Sequence, residues 1–563
     1  MPDLSHPQMN VADWSTVQPH VDALLAAPLD KAAVDGWLRQ WNSLAEVLAE
    51  AEAQIYRDVT ENTADAAAEQ RFEHFVGQIK PQVHMAEQAL KQKMLAVEGY
   101  QPGEDTALLL RRFRTEAEIF RADNVALESK LALLSNQYNK IVGGMTIAWQ
   151  GEDLTLPQAN SRLQEPDRAA REAIWRRIME RYLAAREAIN DLYLKMLPLR
   201  RQSAANAGCA SYRALRWQQL ARFDYSPDDA FTFHDAIEHE VVPLATKLYQ
   251  KLAGQLGIDG LRPWDSEADP YGEPLRPFSA AAELEVGGQR IFHQVDPVLA
   301  GYFSAMHTGY LDLASRPHKA PGAYCNVFPV SAKPYIFMSA VGTHNDVTTL
   351  LHEGGHAFHY MESLAQPLIW NQNAPMEFCE VASMSMELLS APYLAAERGG
   401  FYSEAEARRA YADQLRKIVL FLPYMAVVDS FQHWVYTEAP VDVTPADLDR
   451  AWSTRWDRFM PGIDYRGLQA EKESGWHRKG HIFESPFYYI EYGLAQLGAL
   501  QVWRNALADQ AQAVAAYRRA LSLGYTRSLP ELFAAAGARF AFDRQTVGEL
   551  MALVSEQMAR LEA

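Results

Sequence analysis

The five residues His352-Glu353-Gly354-Gly355-His356 constrain this chain more than any other stretch of it. On a helix, residues four apart lie one turn above each other on one face. His352 and His356 can therefore meet at one metal ion, with Glu353 directed to the side where a water on that ion would sit. Zinc is the expected metal, one per chain, because imidazole suits it and a catalytic zinc takes three protein ligands with one position left open. The reading demands a helix over 346–361, capped at Asn345 or Asp346. Two glycines weaken such a helix by about 1 kcal/mol each, so their missing side chains are expected to admit a neighbouring segment or a substrate. The pattern also occurs by chance on helices whose histidines are ordinary core or surface residues. A third ligand is needed to separate the two cases.

Glu380 supplies that candidate. It lies 24 residues after His356 in a stretch, 374–391, whose Met376, Phe378, Val381, Met384, Leu388 and Leu389 form a helical apolar stripe. A carboxylate among such residues is costly unless it is paired or bound to metal. Glu387, two turns further along the same face, is placed to accept a hydrogen bond from the N–H of a ligand histidine.

Charge and composition exclude other classes. The net charge of −18 argues against a nucleic-acid partner. No apolar run long enough to span a bilayer is expected, so no membrane is either. The first residues, MPDLSHPQMNVADW, have neither a basic start nor an apolar core, and three cysteines (Cys209, Cys325, Cys379) fit a reducing compartment. A cytoplasmic location is the expectation. The cysteines themselves read as small buried residues.

Taken in order, residues 15–140 read as successive amphipathic helices, with Pro81 a kink or boundary. Residues 145–156 read as a hairpin turning at 150–153, 167–201 as one long charged helix with a solvated face, and 228–256 as another helix. The Pro- and Gly-rich 262–288, with Trp264, Asp265 and Tyr271, reads as a long loop between an outer part (1–270) and a catalytic part (271–563). Two strand-like runs, 324–330 and 335–338, precede the HExxH helix. An edge strand there would hold an extended peptide through backbone hydrogen bonds that ignore its sequence, and Gly322, Ala323 and Tyr324 are the expected substrate contacts. The stretch 477–497, beginning HRKGHIFESPFYYIEY, concentrates histidine and tyrosine. Pro486 suits a first helical turn, and Tyr488 and Tyr492 share a face. His481 and such tyrosines can donate hydrogen bonds to an oxyanion. A buried aromatic helix with its hydroxyls bonded to backbone is the plainer reading.

These pieces together resemble the thimet-oligopeptidase and oligoendopeptidase F superfamily of zinc peptidases, with most similarity to its bacterial oligoendopeptidase F and Pz-peptidase branch. The resemblance rests on Pro321-Gly-Ala-Tyr-Cys325, Pro334-Tyr-Ile-Phe-Met-Ser339, the run from Asp346 to His359, Glu377 to Glu387, and His481 to Leu497. It covers about the C-terminal half, and Gly354 replaces the bulkier residue more usual there. It implies a mostly α-helical, zincin-type fold: two helical parts enclosing a deep channel, with a small β-sheet beside the metal helix. It implies His352, His356 and Glu380 as zinc ligands and Glu353 as the base. His481 and Tyr492 are implied as transition-state donors, with Tyr488 preferred to Tyr489 as a further one. The implied activity is cleavage of internal bonds in short peptides. The alternatives are a zinc carboxypeptidase, whose group for the terminal carboxylate the many arginines do not single out, and a non-catalytic zinc-containing peptide-binding protein.

Overall fold

The computed structural model describes residues 6–270, 274–316, 318–320 and 322–562; Tyr271 of the expected loop and Pro321 of the strand motif lie outside them. The described residues are mostly α-helical, with two small sheets.

The first helices build a core of their own. Val34–Glu61 buries Trp37, Leu38, Trp41 and Leu44 at helical spacing. Trp41 packs on Phe113 and on Trp370 at ring-centroid distances of 5.1 and 4.7 Å. Trp370 belongs to the segment between the HExxH helix and the Glu380 helix, so this outer core is pinned to the site. Pro81 marks a boundary, as expected: a π-helical turn, Phe75–Ile79, gives way to the α-helix Lys80–Leu95, with the proline in its first turn.

The hairpin forms as the sequence indicates, β1 (Thr146–Trp149) pairing antiparallel with β2 (Glu152–Thr155). Residues 167–201 form two helices, Arg168–Ala184 and Arg186–Asn206, because the chain turns at Ala185. Their charge is not all solvated. Arg171 is buried and, with Arg168, grips the wholly buried Asp265. The expected loop is shorter than 262–288, since Ala281–Val295 is helical.

The second sheet sits beside the HExxH helix. β3 (Leu311–Ala314), β4 (Tyr324–Phe328) and β5 (Lys333–Ala340) take the order β3-β5-β4, with β4 antiparallel and β3 parallel to β5. Among the described residues, β4 therefore has a free edge. The end of Val34–Glu61 lies across this sheet: Tyr324 shares a 2.7 Å hydrogen bond with Thr60, and Tyr335 donates to Glu61 at 2.6 Å.

The main core runs from Tyr138 to Met558 around the central helix Glu404–Thr437. That helix is long and apolar enough to cross a membrane by length and composition, contrary to the expectation of no such run, but 78% of its apolar window is buried inside the protein. Its apolarity answers to the core.

Candidate metal and catalytic site

The HExxH helix spans His344–Ser363, two residues beyond the expected start. Thr343, rather than Asn345 or Asp346, caps it. The Asp346 N–H donates to the Thr343 hydroxyl at 3.3 Å, and the Asp346 carboxylate accepts the Thr343 N–H at 2.8 Å. Asp346 works from the third helical position, completing a reciprocal box.

The glycines do what their missing side chains imply. A Cβ on Gly355 would stand 2.5 Å from the Cα of Ser383, and one on Gly354 would stand 2.5 Å from the Phe292 ring. The HExxH helix and the Glu380 helix (Met376–Ser390) thus meet backbone to backbone at Gly355.

That contact brings the three candidate ligands together. The His352 and His356 rings lie 4.9 Å apart, and each Nε2 faces Glu380 Oε2, at 3.3 and 3.7 Å. All three ligand atoms lie within 4.8 Å of one another. Glu387 Oε1 stands 2.7 Å from His352 Nδ1. With Nδ1–H donating there, Nε2 is left directed at the convergence point. Glu380 is nearly wholly buried, whereas the two imidazoles keep about a fifth of their surface exposed. The carboxylate is the buried side of the cluster and the histidines are its exposed side.

The electrostatics favour a cation. Burial opposes charge on His352, but its hydrogen bonds to Glu380 and Glu387 outweigh this and hold it well above the ordinary histidine value. Burial likewise raises Glu380, and the histidines overcome it and pull the carboxyl down to about 2. Glu353 differs from both. Burial pushes it up to about 7, and its Oε2 is enclosed without a hydrogen-bond partner. Two imidazole nitrogens, one carboxylate oxygen and an orphaned carboxyl oxygen beside them are the donor set and the idle base that a catalytic zinc requires, so the residues fit the ion.

The His/Tyr stretch closes over this cluster, differently in detail from the expectation. Pro486 is not in a helix; the helix begins at Tyr489 and runs to Ala508, with Tyr488 as its cap residue. The cause is Phe487, whose φ of 67° lies in the left-handed region that a bulky residue avoids. Two buried side chains hold it there: Gln432 Oε1 accepts its N–H at 2.8 Å, and Arg222 Nη2 donates to its carbonyl at 2.5 Å. Tyr488 and Tyr492 still meet, edge to face, with centroids 5.2 Å apart and planes inclined at 61°. The Tyr488 hydroxyl donates to Glu380 Oε1 at 2.8 Å, and His481 Nε2 lies 3.4 Å from the Tyr492 hydroxyl. The Tyr489 hydroxyl is engaged elsewhere, accepting from Lys479 Nζ at 3.0 Å. Burial, then the charge of Lys479, drops His481 to about 4, and burial raises the Tyr488 and Tyr492 phenols far above neutral pH. All three are neutral donors.

Of the expected substrate contacts, Tyr324 turns its hydroxyl to Thr60 and stacks on Phe337. Gly322 is exposed and Ala323 half-buried. What β4 offers a ligand is therefore its backbone edge. The free thiol of Cys325 lies on this strand, where burial and then the charge of Glu353 raise it well above the usual thiol range.

Sequence reasoning missed Arg222, Gln432 and Lys479. Arg222 is wholly buried and pairs with Glu491 at 2.7 Å and Glu377 at 3.6 Å, one carboxylate from the Tyr492 helix and one from the Glu380 helix. The only signal in the sequence was those two glutamates on apolar helices, each requiring a cation.

Comparisons with known proteins agree with this architecture. The family model described as Peptidase family M3 matches residues 161–551, more than half of the chain. A solved structure of Pz peptidase A with an inhibitor superposes with a TM-score of 0.92 at 25% identity, covering 99% of both chains. An oligoendopeptidase F structure gives 0.91 at 25% identity over 99% of this chain and 98% of its own. One from Bacillus anthracis gives 0.88 at 22% identity over 98% and 97%, a likeness of fold. Oligopeptidase A of Haemophilus influenzae is 27% identical over 231 residues, 30% of this chain and 32% of that protein, so the match spans about a third of its length.

Proposed function

The chain belongs to peptidase family M3 and is a metallopeptidase acting on oligopeptides; from that premise we propose that it is a zinc-dependent endopeptidase cleaving internal bonds of short peptides. The observation that carries the proposal is the orphaned, burial-raised carboxyl of Glu353 beside the His352–His356–Glu380 cluster.

In this reading His352, His356 and Glu380 hold the ion. Bound zinc would polarise the scissile carbonyl and lower the pKa of water from 15.7 toward about 7. Glu353, with a pKa of about 7, takes a proton from the attacking water and returns it to the leaving nitrogen. Tyr492, oriented by His481, donates to the oxyanion that develops on the substrate. Removing one such donor typically lowers the rate roughly 100- to 1000-fold. Tyr488 bonds the Glu380 oxygen opposite the histidines, which fixes the carboxylate and leaves Tyr492 as the principal donor. The free edge of β4 aligns an extended peptide through main-chain hydrogen bonds. The outer part (1–270) and the catalytic part (271–563) would enclose a channel admitting short peptides and excluding folded proteins.

The test is hydrolysis of an internally quenched peptide of about eight residues, a length an edge strand holds. Wild type and Glu353→Gln are compared, each with and without a zinc chelator. The expected result is chelator-sensitive internal cleavage by wild type and none by the variant, which still retains zinc. Near-normal turnover by Glu353→Gln would refute the base assignment. Release of terminal residues alone would point to a carboxypeptidase, and no cleavage by zinc-loaded protein to a binding module.

A further inference from the structure

Lys479 stands beside the site and has no role in that mechanism. Its ammonium lies 4.4 Å from the ring centroid of Tyr489 and 5.3 Å from that of Tyr424, and it donates to the Tyr489 hydroxyl at 3.0 Å. Among the described residues, no carboxylate lies within ion-pair distance of it. Three other buried cations of this protein do have an anion: Arg222 has Glu377 and Glu491, Arg171 has Asp265, and Lys319 has Asp312. Arg200, which has none, is satisfied instead by the Ile482 and Phe483 carbonyls and the Tyr436 hydroxyl, whereas Lys479 has a single hydroxyl.

An ammonium in an aromatic niche with no counter-charge is expensive, and a methionine would fill the same space between two rings without that penalty. Cation–π contacts recover only part of it. One of the three N–H donors goes to Tyr489, leaving others for an incoming acceptor. Lys479 is half-buried, so the niche communicates with solvent. Burial alone lowers its pKa to about 8, which leaves it charged at neutral pH.

Position selects what that acceptor is. The Tyr489 ring lies 5.5 Å from Tyr492 and 5.1 Å from His481. The ammonium is thus within about 10 Å of the Tyr492 ring, roughly the span of three residues of extended chain. A positive group there repels a peptide's amino terminus and attracts a carboxylate.

We propose that Lys479 is a substrate-binding residue that takes a carboxylate, either the peptide's C-terminal group or an Asp or Glu side chain, about three residues from the bond to be cut. This rests on the peptidase reading, and it supplies the terminal-carboxylate group that no single arginine in the sequence offered.

The experiment uses the full zinc-loaded chain and an eight-residue peptide with an uncharged sequence in two forms, free acid and C-terminal amide. A second pair, both amidated, carries Glu or Gln three residues to the C-terminal side of the cleaved bond. Wild type is expected to prefer one carboxylate form by at least tenfold in kcat/KM, through KM, in line with a charge-assisted hydrogen bond. A preference in the first pair identifies the terminal group as the ligand, and one in the second the side chain. Lys479→Met should bring the preferred pair to parity, and Lys479→Arg should keep most of the preference. Equal rates within both pairs for wild type, a comparison that needs no variant, would overturn the proposal. So would a preference that Lys479→Met retains, or an equal fall of kcat on acid and amide in that variant, since the lysine would then act on the tyrosines. Binding of the same four peptides to zinc-loaded Glu353→Gln, by calorimetry, decides the matter separately from turnover. If no peptide is cleaved, the peptidase reading fails, while a tenfold tighter binding of a carboxylate form, lost in the double variant with Lys479→Met, would still support the subsite.

Discussion

Gly355→Ala tests whether the approach of two helices sets the geometry of the site. The added Cβ would lie 2.5 Å from the Cα of Ser383 and 2.7 Å from the carbonyl oxygen of Ala382. Both are backbone atoms in a buried helix, so neither can rotate away. Carbon–carbon contacts sit near 3.5 Å, so the helices must part by about 1 Å. Glu380 is one turn before Ser383 and moves with it. Metal–ligand distances tolerate about 0.2 Å, and a misplacement of about 1 Å at a reacting centre is worth roughly 100-fold in rate. The fold should survive: overpacking costs about 1–3 kcal/mol, and replacing a helical glycine returns about 1 kcal/mol. The expected outcome is a protein that melts within a few degrees of wild type, no longer holds stoichiometric zinc after dialysis, and has lost at least 100-fold in kcat/KM. Gly354→Ala is the control, because its Cβ meets the side chain of Phe292, which can shift. It should lose some stability and keep its zinc. If Gly355→Ala retained one zinc per chain and a kcat/KM within threefold of wild type, the backbone contact would not be what positions Glu380.

Three further outcomes follow from the same geometry. Glu387→Gln weakens the acceptor that orients His352. Zinc affinity, measured by chelator competition, should fall about 10- to 100-fold, and an unchanged affinity would show that the hydrogen bond is incidental. Gln432→Leu leaves the Phe487 N–H buried and unpaired at a residue already in a strained conformation. It should lower kcat about tenfold with KM and zinc content unchanged, and Gln432→Glu, which keeps an acceptor oxygen, should restore most of it; a wild-type kcat in Gln432→Leu would sink the clamp. Lys479 has a folded pKa of about 8 against an ordinary 10.5. Between those values the folded chain binds fewer protons than the unfolded one, so this group's contribution to stability rises from pH 8 toward 10.5, by up to about 3 kcal/mol. The melting temperature of wild type should therefore rise relative to that of Lys479→Met from pH 7.5 to 10, and parallel curves would contradict it.

The parts of the site legible in the sequence are those whose geometry is local. His352 and His356 meet because a helix repeats every 3.6 residues, and Glu387 reaches His352 because it lies two turns beyond Glu380 on one face. An unpaired carboxylate at Glu380 among apolar residues called for a partner, and the helices supply it. The sequence was misleading where two local rules compete. Asn345 and Asp346 are good cap residues, yet Thr343 outranks them because it engages Asp346 from the third position. Pro486 is a good first-turn residue, yet the helix starts after it because Phe487 is held left-handed from outside. That outside hold was invisible. Arg222 and Glu491 are 269 residues apart, and Gln432 and Phe487 are 55 apart. No periodicity connects such pairs; they exist only once the central helix and the Tyr492 helix have packed. The division of labour has a physical logic. Ligands that share one ion can be spaced along a helix, whereas a tyrosine that must sit at a set distance from that ion has to be fixed by whatever packs behind it, and in this chain that is a buried arginine braced by two glutamates from the two helices it joins.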